Sequence, residues 1–288
     1  MSNIKKYIKD QLLDQDDFKN ILSLVRTSNR HSKTNFIFLE SDGKSKNELA
    51  LLYYEDLELR GVLCIYNSYH KNHVRIHGVV HPKYRNKGIF SELYIMALND
   101  LKQTNIEQVT FIIEDESGIA LAKKHRATYQ YSSYKMDFHL NHFNLQKLIE
   151  SELIIKEGTI DDLEDLVEIG MDGFGTSEEE ERPLMEENLS DTKRYIYIAK
   201  KENQPIGMIS VTRQESTLVI SDLVIKKGCR KMGYGTELLC HVIKSNANKK
   251  EVNLSLNVNA TNKEGLSLYK RCGFRVSKNT YFYSLNIS

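Results

Sequence analysis

The 288-residue sequence has no long apolar run, almost no net charge and no closely spaced pair of cysteines. Each absence removes a class of protein. No stretch approaches the roughly 18–20 apolar residues that span a bilayer, so no membrane-spanning helix is expected. The opening MSNIKKYIKDQLLDQDD has basic residues but lacks an apolar segment, and it does not read as a secretory signal. A net charge of +1 offers no general attraction to nucleic acid, whose binders carry a basic domain or stripe. Cys64, Cys229, Cys240 and Cys272 are scattered without C-x-x-C spacing. This argues against a zinc site or any other metal and against a disulfide framework, and it suits a reducing cytoplasm. What is present, 40% hydrophobic and 27% charged residues, is the composition of folded domains rather than of disordered chains. At roughly 100–200 residues per domain, the length predicts two.

The small net charge conceals segregation. Between Glu157 and Asp191 there are fourteen acidic residues and one arginine, a net of −13. The remainder of the chain is therefore +14.

The chain also repeats itself. Val80–Leu93 reads VHPKYRNKGIFSEL and Ile225–Leu238 reads IKKGCRKMGYGTEL. Without gaps the two share Arg85/Arg230, Gly88/Gly233, Glu92/Glu237 and Leu93/Leu238, at an offset of 145 residues. The flanks match as well. Each copy follows a strand-like run (His73–Val80, Thr217–Ile225) and precedes an apolar pattern of helical period. Upstream of each lies a hairpin pattern: Glu48–Tyr54 with Leu59–Tyr66, and Tyr195–Lys200 with Ile206–Thr212. Downstream of each come a strand, a short helix and a β-rich tail, Thr128–Leu140 and Arg275–Ile287. The order predicts an α/β protein with a mixed sheet in each half. The domains are expected at 1–150 and 151–288, with the boundary near Asn144–Leu153.

The turn between strand and helix is the sharpest feature. Arg230-Lys231-Met232-Gly233-Tyr234-Gly235-Thr236 sets two glycines and two bases at a helix N-terminus. Unpaired N–H groups and the positive end of the helix dipole make such a turn an anion site. Glycine lets the main chain approach the anion closely, and a pyrophosphate is the natural guest. The spacing is neither GxxxxGK[ST] nor GxGxxG. The same residues would also serve as a plain glycine turn that starts a helix.

Further on, NATNKEGLSLYKRCGF contains N-x-x-G-x-x-L-Y-x-x-x-G-F at Asn262, Gly265, Leu268, Tyr269, Gly273 and Phe274. Together with Leu223–Ile225 and R-x-x-G-x-G at Arg230–Gly235, this resembles the GNAT superfamily of acyl-CoA-dependent N-acyltransferases. IIKEGTIDDLEDLVEI looks like that family's first strand and helix, and V-H-P-x-Y-R-x-K-G-I-F at Val80–Phe90 carries the likeness into the first half. The chain thus resembles a tandem GNAT protein over 153–288 and about 45–140. The likeness implies two GNAT-like domains, each a mixed, mostly antiparallel twisted sheet flanked by helices.

The resemblance also implies roles. Acetyl-CoA is the cosubstrate. Its pyrophosphate would lie on Arg230, Lys231, Gly233, Tyr234, Gly235 and Thr236, and its pantetheine arm along the main chain of Leu223, Val224 and Ile225. The N–H of Leu223 would hold the oxyanion of the tetrahedral intermediate. Asn262 would contact the cofactor, and Tyr269 would stand near the sulfur as acid. A phenol of pKa about 10 donates a full proton to a thiolate of about 8.5 only uphill, by roughly 2 kcal/mol, so Tyr269 is better drawn as a hydrogen-bond donor. Asp222 would act on the amine through water, since a carboxylate near 4 is a poor direct base for an ammonium near 10. Asp222 and Tyr269 could equally be a solvated strand residue and a core tyrosine.

The first half matches the loop with fewer residues: Val80, Arg85, Lys87, Gly88 and Ile89. Phe90 replaces the last glycine, His77 aligns with Asp222 without gaps, and the Tyr269 position falls on Ala122 or Lys124. That half is expected to be structural or a weak CoA binder. The expected activity is transfer of an acetyl group to a primary amine of a small molecule or peptide. The acidic window would favour a cationic acceptor, unless it is simply a solvated face. The rivals are a non-catalytic CoA-binding sensor or structural protein, and an acyltransferase with another acyl donor.

Overall fold

A computed structural model describes residues 2–8, 13–32, 34, 36, 47–68, 72–142, 153–247 and 253–287. It divides into two compact units, Met1–Ser132 with Lys278–Ser288, and Ser133–Ser277. The division differs from a cut at residue 150 because the two sequence halves exchange their last strands. Most of the expected boundary, residues 144–152, lies outside the described residues.

Unit 1 runs β1 (Ser2–Ile8), α1 (Gln15–Ser32), β2 (Asn47–Glu55), β3 (Glu58–Asn67), β4 (His73–Val80), α2 (Ile89–Leu101), β5 (Gln108–Ile113) and α3 (Glu116–Lys124). Strands β1 to β4 pair antiparallel in sequence order, and β4 pairs parallel with β5. The strand completing this sheet comes from the far end of the chain: Tyr281–Asn286 of β12 (Phe274–Asn286) pair antiparallel with β5. Alternate residues of β3 feed opposite faces. Leu63 and Ile65 join the core with Leu93 and Ala97 of α2, whereas Val62 and Cys64 join Ile21 and Leu24 of α1. Burial on both faces explains why β3 reads as a continuous apolar run instead of an alternating one. Helix α1 and strand β1 are tied together at Asp17. This buried carboxylate accepts Lys5 Nζ at 2.9 Å and the hydroxyls of Tyr7 and Tyr54.

Unit 2 starts with the end of β6 (Thr128–Phe138) and runs β7 (Ile154–Glu157), α4 (Leu163–Phe174), α5 (Glu178–Ser190), β8 (Arg194–Lys201), β9 (Gln204–Gln214), β10 (Thr217–Ile225), α6 (Tyr234–Ala247), β11 (Asn253–Asn259) and α7 (Lys263–Arg271). Strands β7 to β10 pair antiparallel, β10 pairs parallel with β11, and β11 pairs antiparallel with residues 133–137 of β6. Each unit thus holds the expected mixed, mostly antiparallel sheet between helices. One core lies under α6, with Ile209, Val211, Leu239 and Ile243; the other lies under α4 and α5, with Leu166, Met185, Ile196 and Met208.

The hairpin turns are tighter than the gaps between the expected runs. Both are two-residue loops, Asp56-Leu57 and Glu202-Asn203, with all four φ angles between 49° and 64°. That left-handed pair matches the twist of the flanking strands. No helix among the described residues is long and apolar enough to cross a membrane.

Candidate functional site

In unit 2 the parallel strands β10 and β11 pair from Thr217/Asn253 to Ile220/Leu256 and then part, although β10 continues to Ile225 and β11 to Asn259. Where they part, β10 bulges. Ser221 faces Ser210 on β9 and Val224 faces Met208, so Asp222 and Leu223 together oppose Ile209. Asp222 takes φ +49°, a left-handed geometry that Asp tolerates better than most residues. Neither Asp222 nor Leu223 has a register partner on either side. The bulge therefore turns main-chain groups of a central strand into the opening between two strands.

The glycine loop follows directly. Lys231 (φ +64°) and Gly233 (φ +92°) are both left-handed, and α6 starts at Tyr234. Thr236 and Glu237 donate to Gly233 O, whereas the amides of residues 231–235 have no protein acceptor among the described residues. Such a run of unpaired N–H groups forms an anion-binding nest. Gly235 admits helix α7: an added Cβ would lie 3.2 Å from Leu268 Cδ1. Arg230 is engaged by main-chain carbonyls. Its Nε donates to Ile225 O and its Nη2 to Gly173 O, both at 2.9 Å, bracing the loop against β10 and α4. Lys231 pairs at 3.7 Å with Glu264 on the surface, and Tyr234 accepts a bond from Lys201 Nζ at 2.9 Å.

Asn262 caps α7, its Oδ1 accepting Gly265 N at 2.8 Å. Tyr269 is partly buried on α7, edge-on to Phe274. Burial, then the negative charge of Asp222, push its phenol above the ordinary value. It therefore stays protonated at neutral pH. Asp222 accepts Ser221 Oγ at 2.9 Å and stands 3.6 Å from Arg194 Nη1.

The acidic window is less open than its net charge suggests. Asp162, Glu164, Asp165, Glu168 and Glu178 are ion-paired, Asp172 accepts the Lys227 amide, Glu180 closes a capping box and Glu181 is buried.

The corresponding cleft of unit 1 keeps the loop and changes its surroundings. Asn86 and Gly88 repeat the left-handed pair of Lys231 and Gly233. Strands β4 and β5 likewise stop pairing after Ile76/Phe111. A cavity of about 390 Å³ lies there, lined in part by His77, Gly78, Arg85, Phe90 and Asp115. However, β4 has no bulge, because its ladder with β3 is unbroken from Gly61/Val80 to Asn67/Val74. His77 faces Cys64 as Ser221 faces Ser210, so its counterpart is Ser221, and the gapless match to Asp222 is corrected. The Phe90 ring lies against Gly78, where a Cβ would come within 2.8 Å. Arg85 is spent on Ser28, Ser32 and Val80 O. Asp115 caps α3 through Gly118 N just as Asn262 caps α7. That register sets Tyr269 against Ala122, which is fully buried.

Sequence reasoning did not anticipate the bulge or the position of Arg194 beside Asp222. The one local signal was an aspartate inside a β-branched run, TLVISDLVI.

Twin cores of sheet and helix, each with parted parallel strands and a glycine-nest turn, define the class. The family model described as "Acetyltransferase (GNAT) family" matches residues 15–126 and 163–274, and the chain belongs to that family. Among solved structures it is similar to a GCN5-related N-acetyltransferase from Sphaerobacter thermophilus (15% identity, TM-score 0.79, covering 99% of this chain and 96% of that one). It is similar also to a tandem GNAT protein from the clavulanic acid biosynthesis pathway (13%, 0.75, 100% and 99%). A third likeness is to a GNAT-family acetyltransferase from Colwellia psychrerythraea (12%, 0.66, 98% and 99%). No curated protein matches.

Proposed function

We propose that unit 2 transfers an acetyl group from acetyl-CoA to a primary amine of a small molecule or peptide by direct attack. The observation that carries this is the bulge at Asp222-Leu223, set between the parted strands and next to the nest of residues 231–235. The nest amides suit the pyrophosphate, with Lys231 adding charge and Arg230 holding the loop in shape. The unpaired edge of Leu223, Val224 and Ile225 suits an extended pantetheine arm, and Asn262 offers its amide to the same ligand.

The amine attacks the thioester carbon, and the carbonyl oxygen becomes an oxyanion that accepts from Leu223 N–H. The C–S bond then breaks, and the thiolate leaves to be protonated. Tyr269 donates a hydrogen bond to the departing sulfur. Its raised pKa makes outright proton transfer more uphill than for a free phenol. The proton lost by the amine passes to water held near Asp222. In unit 1 the straight β4, Phe90 and Ala122 favour a structural role or weak CoA binding. The four free thiols suit a reducing cytoplasm.

The test is thiol release from acetyl-CoA across a panel of amines. Release that depends on Tyr269 supports the reading. Tight CoA binding without release from any amine would leave the non-catalytic sensor in its place.

A further inference from the structure

In unit 2 the buried side-chain atoms without a hydrogen-bond partner, among the described residues, are Glu181 Oε1, Arg194 Nε and Ser210 Oγ. All three lie on one face of the sheet. Ile196, Ser210 and Ser221 form one cross-strand row, and Ile196 packs with Leu166 and Met185, so the row looks toward α4 and α5. Arg194 lies two residues from Ile196 on the same face, where its Nη1 donates to Asn188 Oδ1 of α5 at 2.6 Å. Glu181, Met185 and Asn188 are the buried residues of α5. Folded interiors leave few polar atoms unmet, and Arg194 and Ser210, on neighbouring strands of one face, mark a place built for a polar guest.

The charges indicate which guest. Among the described residues Arg194 Nη2 has no hydrogen-bond partner, and the side chain is 24% exposed. It stands 3.6 Å from the Asp222 carboxylate at the bulge, where the amine would be acetylated. A cation and an anion side by side complement a molecule with an amine and a carboxylate a few bonds apart. They repel a bare polycation at one of the two points. Glu181 is seven residues before Asn188 on α5, roughly 10 Å away, far enough not to oppose that carboxylate.

We propose that the acceptor is an amino acid: its carboxylate lies on Arg194 and Ser210, and its amine lies beside Asp222. This rests on the acetyl-transfer reading for the identity of the reacting group.

The test uses matched pairs on the full chain: L-lysine and cadaverine, L-tyrosine and tyramine, β-alanine and ethylamine. Binding to the CoA-saturated protein is measured by calorimetry beside thiol release. The carboxylate-bearing members are expected to bind and react at least tenfold better, through KM. Arg194→Gln should bring that ratio near one. Ser210→Ala should raise KM for the amino acid without lowering the melting temperature, because it removes an unmet buried hydroxyl, and this guards against misfolding of the arginine variant. Carboxylate-dependent binding without turnover would keep the amino-acid site and sink acetyl transfer. A preference for the decarboxylated amines, no binding by any amino acid, or a ratio untouched by Arg194→Gln would overturn the proposal.

Discussion

Gly173 of α4 lies so close to Val224 of β10 that a Cβ on the glycine would overlap Val224 Cγ2. The same glycine's carbonyl accepts Arg230 Nη2. One residue thus fixes helix, bulged strand and nest together. Gly173→Ala is expected to destabilise the fold by about 1–3 kcal/mol through overpacking and to weaken CoA binding. Val224→Ala should recover part of both losses, which a double-mutant cycle of denaturant unfolding would measure.

Tyr269→Phe removes only the hydroxyl. A drop in kcat of about 10²-fold or more is expected for loss of a donor to the leaving sulfur, with KM for acetyl-CoA little changed. Because burial and Asp222 raise the phenol's pKa, activity should persist to a higher pH than a free phenol would allow. The Phe variant should lose that alkaline limb in a pH–rate profile.

Gly235 and Phe90 hold equivalent places in the two loops. Gly235→Phe would drive a ring toward Leu268. It should abolish the tighter CoA site in calorimetry and leave whatever binding unit 1 retains. An unchanged isotherm would move the principal site to unit 1.

His77 is pushed down to about 4 by burial, with the Asp115 charge opposing. The unfolded imidazole titrates near 6.5. Between these values the unfolded chain binds more protons, so stability is complete above about pH 6.5 and falls as the pH drops toward 4, by up to about 3 kcal/mol. Urea unfolding at pH 7.5 and 4.5 should show the loss, and His77→Gln should reduce it.

Much of the fold was legible in the sequence. The repeat, the glycine turns and the strand-helix order are local patterns, and the left-handed pair at Lys231 and Gly233 recurs at Asn86 and Gly88, as the 145-residue offset implied. The bulge was not legible, because one extra residue in a run buried on both faces leaves no trace in an alternating pattern. A gapless alignment therefore sets His77 against Asp222, whereas the strand register sets it against Ser221. Sequence shows the charge of Arg230 and not the carbonyls of Ile225 and Gly173 that its guanidinium meets. The tails 128–140 and 275–287 read correctly as strands, but the choice of neighbour is a long-range contact that no local pattern encodes.

The strand exchange has a consequence for biosynthesis. The β5 edge of the N-terminal unit is completed by Tyr281–Asn286, which are synthesised after every other strand of that unit and after residues 133–277 of the other. The first-made unit is therefore the last to close its sheet. A premature stop between Ser277 and Tyr281 would strike the N-terminal unit first, leaving a raw β edge at Ile113, far upstream of the lesion.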